Sequence, residues 1–191
     1  MSIKSIAVYC AASTRLKESY TTLANSTGKE IAKKKKRLVY GGGNTGLMKA
    51  VSHSCNEAGG EVLGIITEHL KDLEHINHTA DELRIVQDMQ ARKMQMFLEA
   101  DAFLILPGGF GTLEEVFEVL TWKQIGLHTK PVVFLNYKNF WDPLFSVIEK
   151  MIEEKMTPVK TPQLYEIITH PEDMWAAFKN SNQNPFNMHE K

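Results

Sequence analysis

Cysteine is scarce: only Cys10 and Cys55 occur in 191 residues. One closes a strand-like run, the other sits inside a helix-like run, and no C-x-x-C spacing joins them. A disulfide framework is excluded, and both are read as reduced, buried thiols. Charge of one sign is also missing. With a formal net charge of -1, no basic field is available to hold a nucleic acid by its phosphates. No apolar run approaches the ~18 residues of a membrane span, which leaves a membrane partner without support. The opening stretch MSIKSIAVYC lacks the apolar core and small-residue cleavage site of a signal peptide, so a cytoplasmic protein is expected. Hydrophobic residues at 43% and charged ones at 24% exclude collagen-like and disordered classes. The length suits one domain, expected over residues 1–180, with the polar stretch 181–191 as a flexible tail and Asn180 at its edge.

What is present is alternation. Short runs of Ile, Val, Leu and Phe at Ile3–Tyr9, Leu38–Tyr40, Val62–Ile66, Leu83–Val86, Ala102–Leu106 and Val132–Leu135 read as strands. Between them, helical period covers Glu18–Lys34, Gly46–Ala58, Met89–Glu99, Leu113–Ile125 and Pro143–Lys155. Gly59-Gly60 and Gly126 supply stop signals. This pattern specifies an α/β fold: a Rossmann-like three-layer αβα sandwich with a mainly parallel sheet. Lys33–Arg37, five basic residues in a row, is expected to be the solvated end of a helix, where cations complement the dipole. Thr67–Asp81 shows neither period and reads as a loop. His69, His75 and His78 lie there, and their spacing matches no common zinc pattern, so no metal site is expected.

Two glycine loops each follow a strand and open a helix. In the first, YGGGNTGLMKA, Gly41, Gly43 and Gly46 fit G-x-G-x-x-G, the spacing that lets backbone approach a pyrophosphate. It falls at the second βα turn rather than the first, and Glu61 and Glu68 only loosely match the expected acid, so an NAD(P)-linked oxidoreductase is a weaker reading. The second loop follows Ala102–Leu106. Pro107 stops the strand, Gly108, Gly109 and Gly111 free the backbone, and Thr112 is placed to cap a helix from Leu113. Unpaired N–H groups and the helix dipole make this a phosphate site. No Gly-Lys-Ser/Thr follows, so a monophosphate fits better than a nucleoside triphosphate.

Glu114 and Glu115 then fall in the first helical turn, where a carboxylate gains typically 0.3–1 kcal/mol from the dipole. Leu113, Val116, Phe117 and Leu120 read as the apolar stripe, leaving Glu115 and Glu118 toward the loop mouth or solvent. From these residues alone, Glu115 is a helix-start acid or a catalytic carboxylate. Arg92 and Lys93 read as a solvated basic pair on a helix whose Met89, Met96 and Phe97 face the core.

PGGFGTLEE fills every position of P-G-G-x-G-T-x-x-E with Pro107, Gly108, Gly109, Gly111, Thr112 and Glu115. With it the chain resembles the LOG (Lonely Guy) family, also labelled lysine decarboxylase-like. The resemblance spans about Ile6–Lys155 and includes VYGGGNTGLM, ARKMQMF and TWKQIGLHTKPVVFLN, with the 23-residue step from Arg92 to Glu115 in agreement. Where the family has Cys-Gly-x-Ser after the first strand, this chain reads Cys10-Ala11-Ala12-Ser13. The resemblance implies hydrolysis of the N-glycosidic bond of nucleoside 5′-monophosphates, AMP or cytokinin riboside 5′-monophosphate, by a homodimer without a cofactor. It assigns catalysis to Glu115 and Arg92. Gly108, Gly109, Gly111 and Thr112 would bind phosphate, with Gly42, Gly43, Thr45 and Ser13 on the opposite wall and Met89 and Lys93 lining the site. The alternative is a non-catalytic nucleotide-binding module. No lysine stands in a recognisable pyridoxal phosphate motif, so the decarboxylase label is set aside.

Overall fold

The apolar runs are short and contiguous rather than alternating because both faces of the sheet they form are covered. The computed structural model describes residues 2–73 and 80–183. Its strands are β1 (Ser5–Tyr9), β2 (Arg37–Tyr40), β3 (Val62–Thr67), β4 (Glu82–Val86), β5 (Ala102–Ile105), β6 (Val132–Leu135) and β7 (Glu166–Ile168). They make one sheet in the order β4-β3-β2-β1-β5-β6-β7, with every neighbouring pair parallel. The helices are α1 (Glu18–Lys33), α2 (Gly46–Glu57), α3 (Glu68–Leu73), α4 (Met89–Glu99), α5 (Phe110–Gln124), α6 (Asp142–Glu153) and α7 (Met174–Gln183).

Successive strand residues feed opposite layers, as the two-residue period of a strand requires. Ile6, Val8, Leu38, Tyr40, Leu104 and Val133 pack with α1, α2 and α7. Ala7, Tyr9, Val39, Phe103, Val132 and Phe134 pack with α4, α5 and α6. In the second layer Phe134 meets Trp141, Phe145 and Tyr165 edge-on, at ring-centroid distances of 5.6, 5.4 and 5.2 Å. Each such ring contributes roughly 1.5–3 kcal/mol through burial.

The topology decides where a ligand can go. The chain runs outward from β1 through β2 and β3 to β4, then returns past β1 to begin β5. At that reversal the loops after β1 and β5 diverge to opposite layers, leaving a crevice at the carboxyl ends of the strands. Backbone bonds tie the two loops at their root: Leu106 N–H to Tyr9 C=O at 3.0 Å and Ala11 N–H to Pro107 C=O at 3.2 Å.

Several expectations are corrected. Residues 68–73 form α3, not loop; the turn is short enough to carry no readable apolar period, and the Thr67 hydroxyl accepts from Leu70 N–H at 3.2 Å to start it. His69 is exposed on α3, whereas His75 and His78 lie outside the described residues. Arg37 is not part of a solvated helix end. It begins β2, and its guanidinium pairs with Glu82 at 2.6 Å and Glu99 at 2.9 Å. β7 and α7 go unread in the sequence, and α7 reaches Gln183 with Ser181 5% exposed, so residues 180–183, expected at the start of the tail, are helix. Residues 184–191 lie outside the described part.

Candidate active site

α5 starts three residues earlier than its apolar pattern suggests. Gly109 is the N-cap, with φ -101° and ψ -152°, and its carbonyl accepts from Leu113 N–H at 3.0 Å. Thr112 therefore does not cap the helix. It occupies the first turn, 3% exposed, beneath Gly108, where an added Cβ would lie 2.1 Å from its Oγ1. The first N–H groups of a helix have no intrahelical acceptor. Here those are the groups of residues 109–112, at the positive end of the dipole.

The buried face of α5 runs through Thr112, Glu115, Val116, Val119, Leu120 and Lys123. Phe117, expected in the stripe, is 40% exposed, while Glu115 is 8% exposed. The first turn is rotated so that Glu115, not a phenylalanine, faces the layer interior. The solvated reading of Arg92 and Lys93 fails likewise, since both are 5% exposed and Met89 is 40% exposed. Asp88 caps α4 by accepting from Ala91 N–H at 2.8 Å, which fixes where Arg92 falls.

Arg92 is pinned on three sides. Its Nε–H donates to Ile65 C=O at 3.0 Å, Nη2 to Gly41 C=O at 3.1 Å, and Nη1 stands 3.5 Å from Glu115 Oε1. Gly41 makes this possible, because a Cβ there would lie 1.9 Å from Arg92 Nη2. Gly46 is also spent on packing. At φ +54° it sits under the loop after β1, where a Cβ would come within 2.6 Å of Ala12 carbonyl carbon and Ser13 carbonyl oxygen. Its role is to admit that loop, whose Ala11 carbonyl accepts from Leu47 N–H at 2.9 Å. The G-x-G-x-x-G spacing is thus used for protein packing at Gly41 and Gly46, which weakens the dinucleotide reading. Ala11 and Ala12 take ordinary negative φ, so their methyls fit the turn without strain.

These elements enclose a cavity of about 250 Å³ at the β1/β5 reversal. Of the residues singled out from sequence, Glu115, Arg92, Gly109, Gly111, Thr112 and Ser13 line it together. Gly108, Gly42, Gly43, Thr45, Met89 and Lys93 are not among its lining residues. Lys93 pairs with Glu114 and Glu118 instead, and the Met89 sulfur lies 3.9 Å from Arg92 Nη1. Gly41, read as a ligand glycine, lines the cavity as well, and Val8, Cys10, Ala11, Ala12, Met48 and Met96, which were not assigned to the site, complete the wall. A signal existed for two groups: Cys10–Ala12 follow β1 at the point where strand order reverses, and Met96 is one turn beyond Arg92 on the same face. Met48 carried none. Behind the wall, burial foremost, and then Glu115 and Glu118, push the Tyr9 phenol well above its ordinary range, so it stays neutral.

A parallel sheet with a cavity at its reversal point, walled by a glycine-fronted helix N-terminus and a buried guanidinium–carboxylate pair, defines an α/β protein suited to a small anionic ligand. Comparison carries this further. Residues 48–178 match the family model described as possible lysine decarboxylase. The chain is 44% identical over 182 residues to cytokinin riboside 5′-monophosphate phosphoribohydrolase LOG7 of Arabidopsis thaliana, covering 92% of this chain and 84% of that one. It is 45% identical over 149 residues to the LOG phosphoribohydrolase of Oryza sativa subsp. japonica, covering 78% and 62%. The chain belongs to the LOG family. The fold is shared with the molybdenum cofactor carrier protein of Chlamydomonas reinhardtii, at TM-score 0.70 and 23% identity over 94% of this chain and 98% of that one. The molybdenum cofactor binding protein of Rippkaea orientalis matches at TM-score 0.72 and 23% identity, with the same coverage.

Proposed function

We propose that this protein is a phosphoribohydrolase that cleaves the N-glycosidic bond of nucleoside 5′-monophosphates, AMP or cytokinin riboside 5′-monophosphate, to the free base and ribose 5-phosphate. The observation that carries the reading is the Arg92–Glu115 pair, 3.5 Å apart in a cavity fronted by the N-terminus of α5.

The chemistry follows from what must be stabilised. As the bond between the base nitrogen and C1′ breaks, its electron pair leaves with the base and the sugar becomes oxocarbenium-like. Water oxygen then bonds to C1′, giving up one proton, while the base gains one. Glu115 is the carboxylate that offsets the developing positive charge and orients the water. Arg92 cannot serve as an ordinary acid, because guanidinium stays protonated at neutral pH. Held by two carbonyls, it positions Glu115 and offers its remaining N–H groups to substrate oxygens. The 5′-phosphate is received by the free N–H groups of residues 109–112, with Ser13 on the facing loop. Val8, Met48 and Met96 give the cavity an apolar wall that keeps bulk water away while Glu115 holds the one water that reacts.

The reading includes a homodimer in the cytoplasm. Met94, Leu98 and Phe117 offer exposed apolar surface on α4 and α5, and no helix among the described residues is long and apolar enough to cross a membrane. The test is chromatography of the products after incubation with AMP and with a prenylated adenosine 5′-monophosphate, in parallel with Glu115→Gln. Free base and ribose 5-phosphate from the native protein, falling by ~100-fold or more in the variant, is the expected result. Nucleotide that binds but survives with both substrates favours the binding-module reading.

A further inference from the structure

Neighbouring cations on α4 meet different acids on α5. Arg92 faces Glu115. Lys93 reaches past it to the acids on either side, with its ammonium bonded to Glu114 and, at 3.2 Å, to Glu118. Only 5% of Lys93 is exposed, whereas its partners are 52% and 20% exposed. A buried lysine ordinarily loses its proton more easily, but the hydrogen bonds to the two carboxylates outweigh burial and hold it above its usual range. It stays charged.

That charge has a position with consequences. Three carboxylates lie within five residues of α5, at 114, 115 and 118, and like charges one turn apart disfavour one another's ionised forms. The charged or titratable groups around Glu115 are Arg92 and Lys93 from α4, Glu114 and Glu118 from its own helix, and Tyr9 and Cys10 from β1 and its loop. Tyr9 is neutral. Two cations therefore face three anions, and without Lys93 one would face three.

We propose that Lys93 is a positioning residue of the active site: by clamping Glu114 and Glu118 it locks α4 against α5, keeps Arg92 opposite Glu115, and keeps Glu115 ionised. This rests on the reading of Glu115 as the carboxylate that serves the anomeric carbon. It replaces the expectation that Lys93 touches the nucleotide.

The test is the pH profile of kcat for AMP hydrolysis in the native protein, Lys93→Met, Lys93→Arg, and Lys93→Met combined with Glu114→Gln and Glu118→Gln. With Lys93→Met, kcat falls more than KM rises, and the acid limb moves up by about one pH unit, as expected for losing a charge several ångströms from a partly buried carboxylate. Lys93→Arg restores the limb. The triple variant, which removes the cation together with its two acids, moves it back toward the native position. Should Lys93→Met not fold, Glu114→Gln/Glu118→Gln with Lys93 retained reads the same coupling in reverse, and the limb moves down. A limb that does not move, or that moves equally in the triple variant, overturns the proposal, as does a rise in KM alone, which would mark a substrate contact. Glu115→Gln separates the two levels. Activity surviving in it removes the carboxylate reading and this proposal with it, whereas a dead Glu115→Gln beside a fixed limb removes this proposal alone.

Discussion

Arg92 Nη1 lies 3.5 Å from Glu115 Oε1, with the two side chains only 7% and 10% exposed. Burying such a pair is costly in desolvation, and the cost is met because Arg92 also donates to Ile65 and Gly41 carbonyls. Removing one member leaves the other charge uncompensated. Arg92→Ala is expected to destabilise the fold by about 3–5 kcal/mol and to lower kcat/KM for AMP by ~100-fold or more. Arg92→Lys keeps the charge but not the fork, so it recovers stability better than activity. Urea denaturation alongside initial rates checks both. Equal recovery of the two would mean that charge alone matters.

Gly41→Ala tests the same pair from the other side. The position has no left-handed φ to strain, so the substitution acts only through the methyl that would meet Arg92 Nη2 at 1.9 Å. Overpacking of this kind costs typically 1–3 kcal/mol, and here it displaces a guanidinium that orients Glu115. Activity should fall by at least tenfold. Because the damage runs through Arg92, Gly41→Ala combined with Arg92→Lys should lose less than the sum of the two single effects. Additive losses would separate Gly41 from Arg92.

The layered architecture was legible because β1, β2, β3, β5 and β6 are apolar runs buried on both sides, and periodicity reports burial directly. β7 was not. Glu166–Ile168 is three residues at a sheet edge, and Ile167 is 47% exposed. For α7 the signal was present, in Met174, Ala177 and Phe178 at i, i+3 and i+4. At the candidate site, the glycine signature located the crevice but misjudged its internal geometry. The sequence pattern put Thr112 at a cap and Phe117 in the core, and a start three residues earlier reverses both. Gly41 and Gly46 read as ligand glycines, yet their open space is taken by Arg92 and the β1 loop. Only tertiary neighbours decide whether the room beside a glycine admits ligand or protein.

His128 offers a pH test away from the cavity. Its Nε2–H donates to Val119 C=O at 2.8 Å, and its Nδ1 accepts from Lys130 N–H at 3.1 Å, so the bond from Lys130 requires the neutral ring. Burial, against the bond to Val119 and with Lys123 and Lys130 nearby, pulls its pKa down to about 4. The unfolded chain takes up a proton near pH 6.5 that the folded one refuses until about 4. Stability is therefore lost as pH falls between those values, by up to about 1.4 kcal/mol per pH unit. Denaturant unfolding at pH 6.5 and 5 should show a loss roughly 1–2 kcal/mol larger in the native protein than in His128→Gln, which keeps a donor for Val119. Equal losses would assign the acid sensitivity elsewhere.

Lys123 stands on the same buried stripe of α5 as Glu115, but no carboxylate among the described residues forms an ion pair with it. It is 2% exposed, and its ammonium reaches Ser181 Oγ at 3.4 Å. Burial lowers its pKa from 10.5 to about 8, with Glu166 opposing from a distance. At pH 7 the folded protein thus carries a buried ammonium at a cost on the order of 2–3 kcal/mol. The sign is fixed by linkage: between about pH 8 and 10.5 the unfolded chain binds the proton and the folded one does not, so native stability rises across that window. Lys123→Met with Ser181→Ala, which leaves no orphaned hydroxyl, should therefore be more stable than the native protein at pH 7. Its advantage should shrink as pH climbs from 8 to 10.5. Thermal melts across that range decide the matter, because an advantage independent of pH would mean that better packing, not removal of a buried charge, is its source.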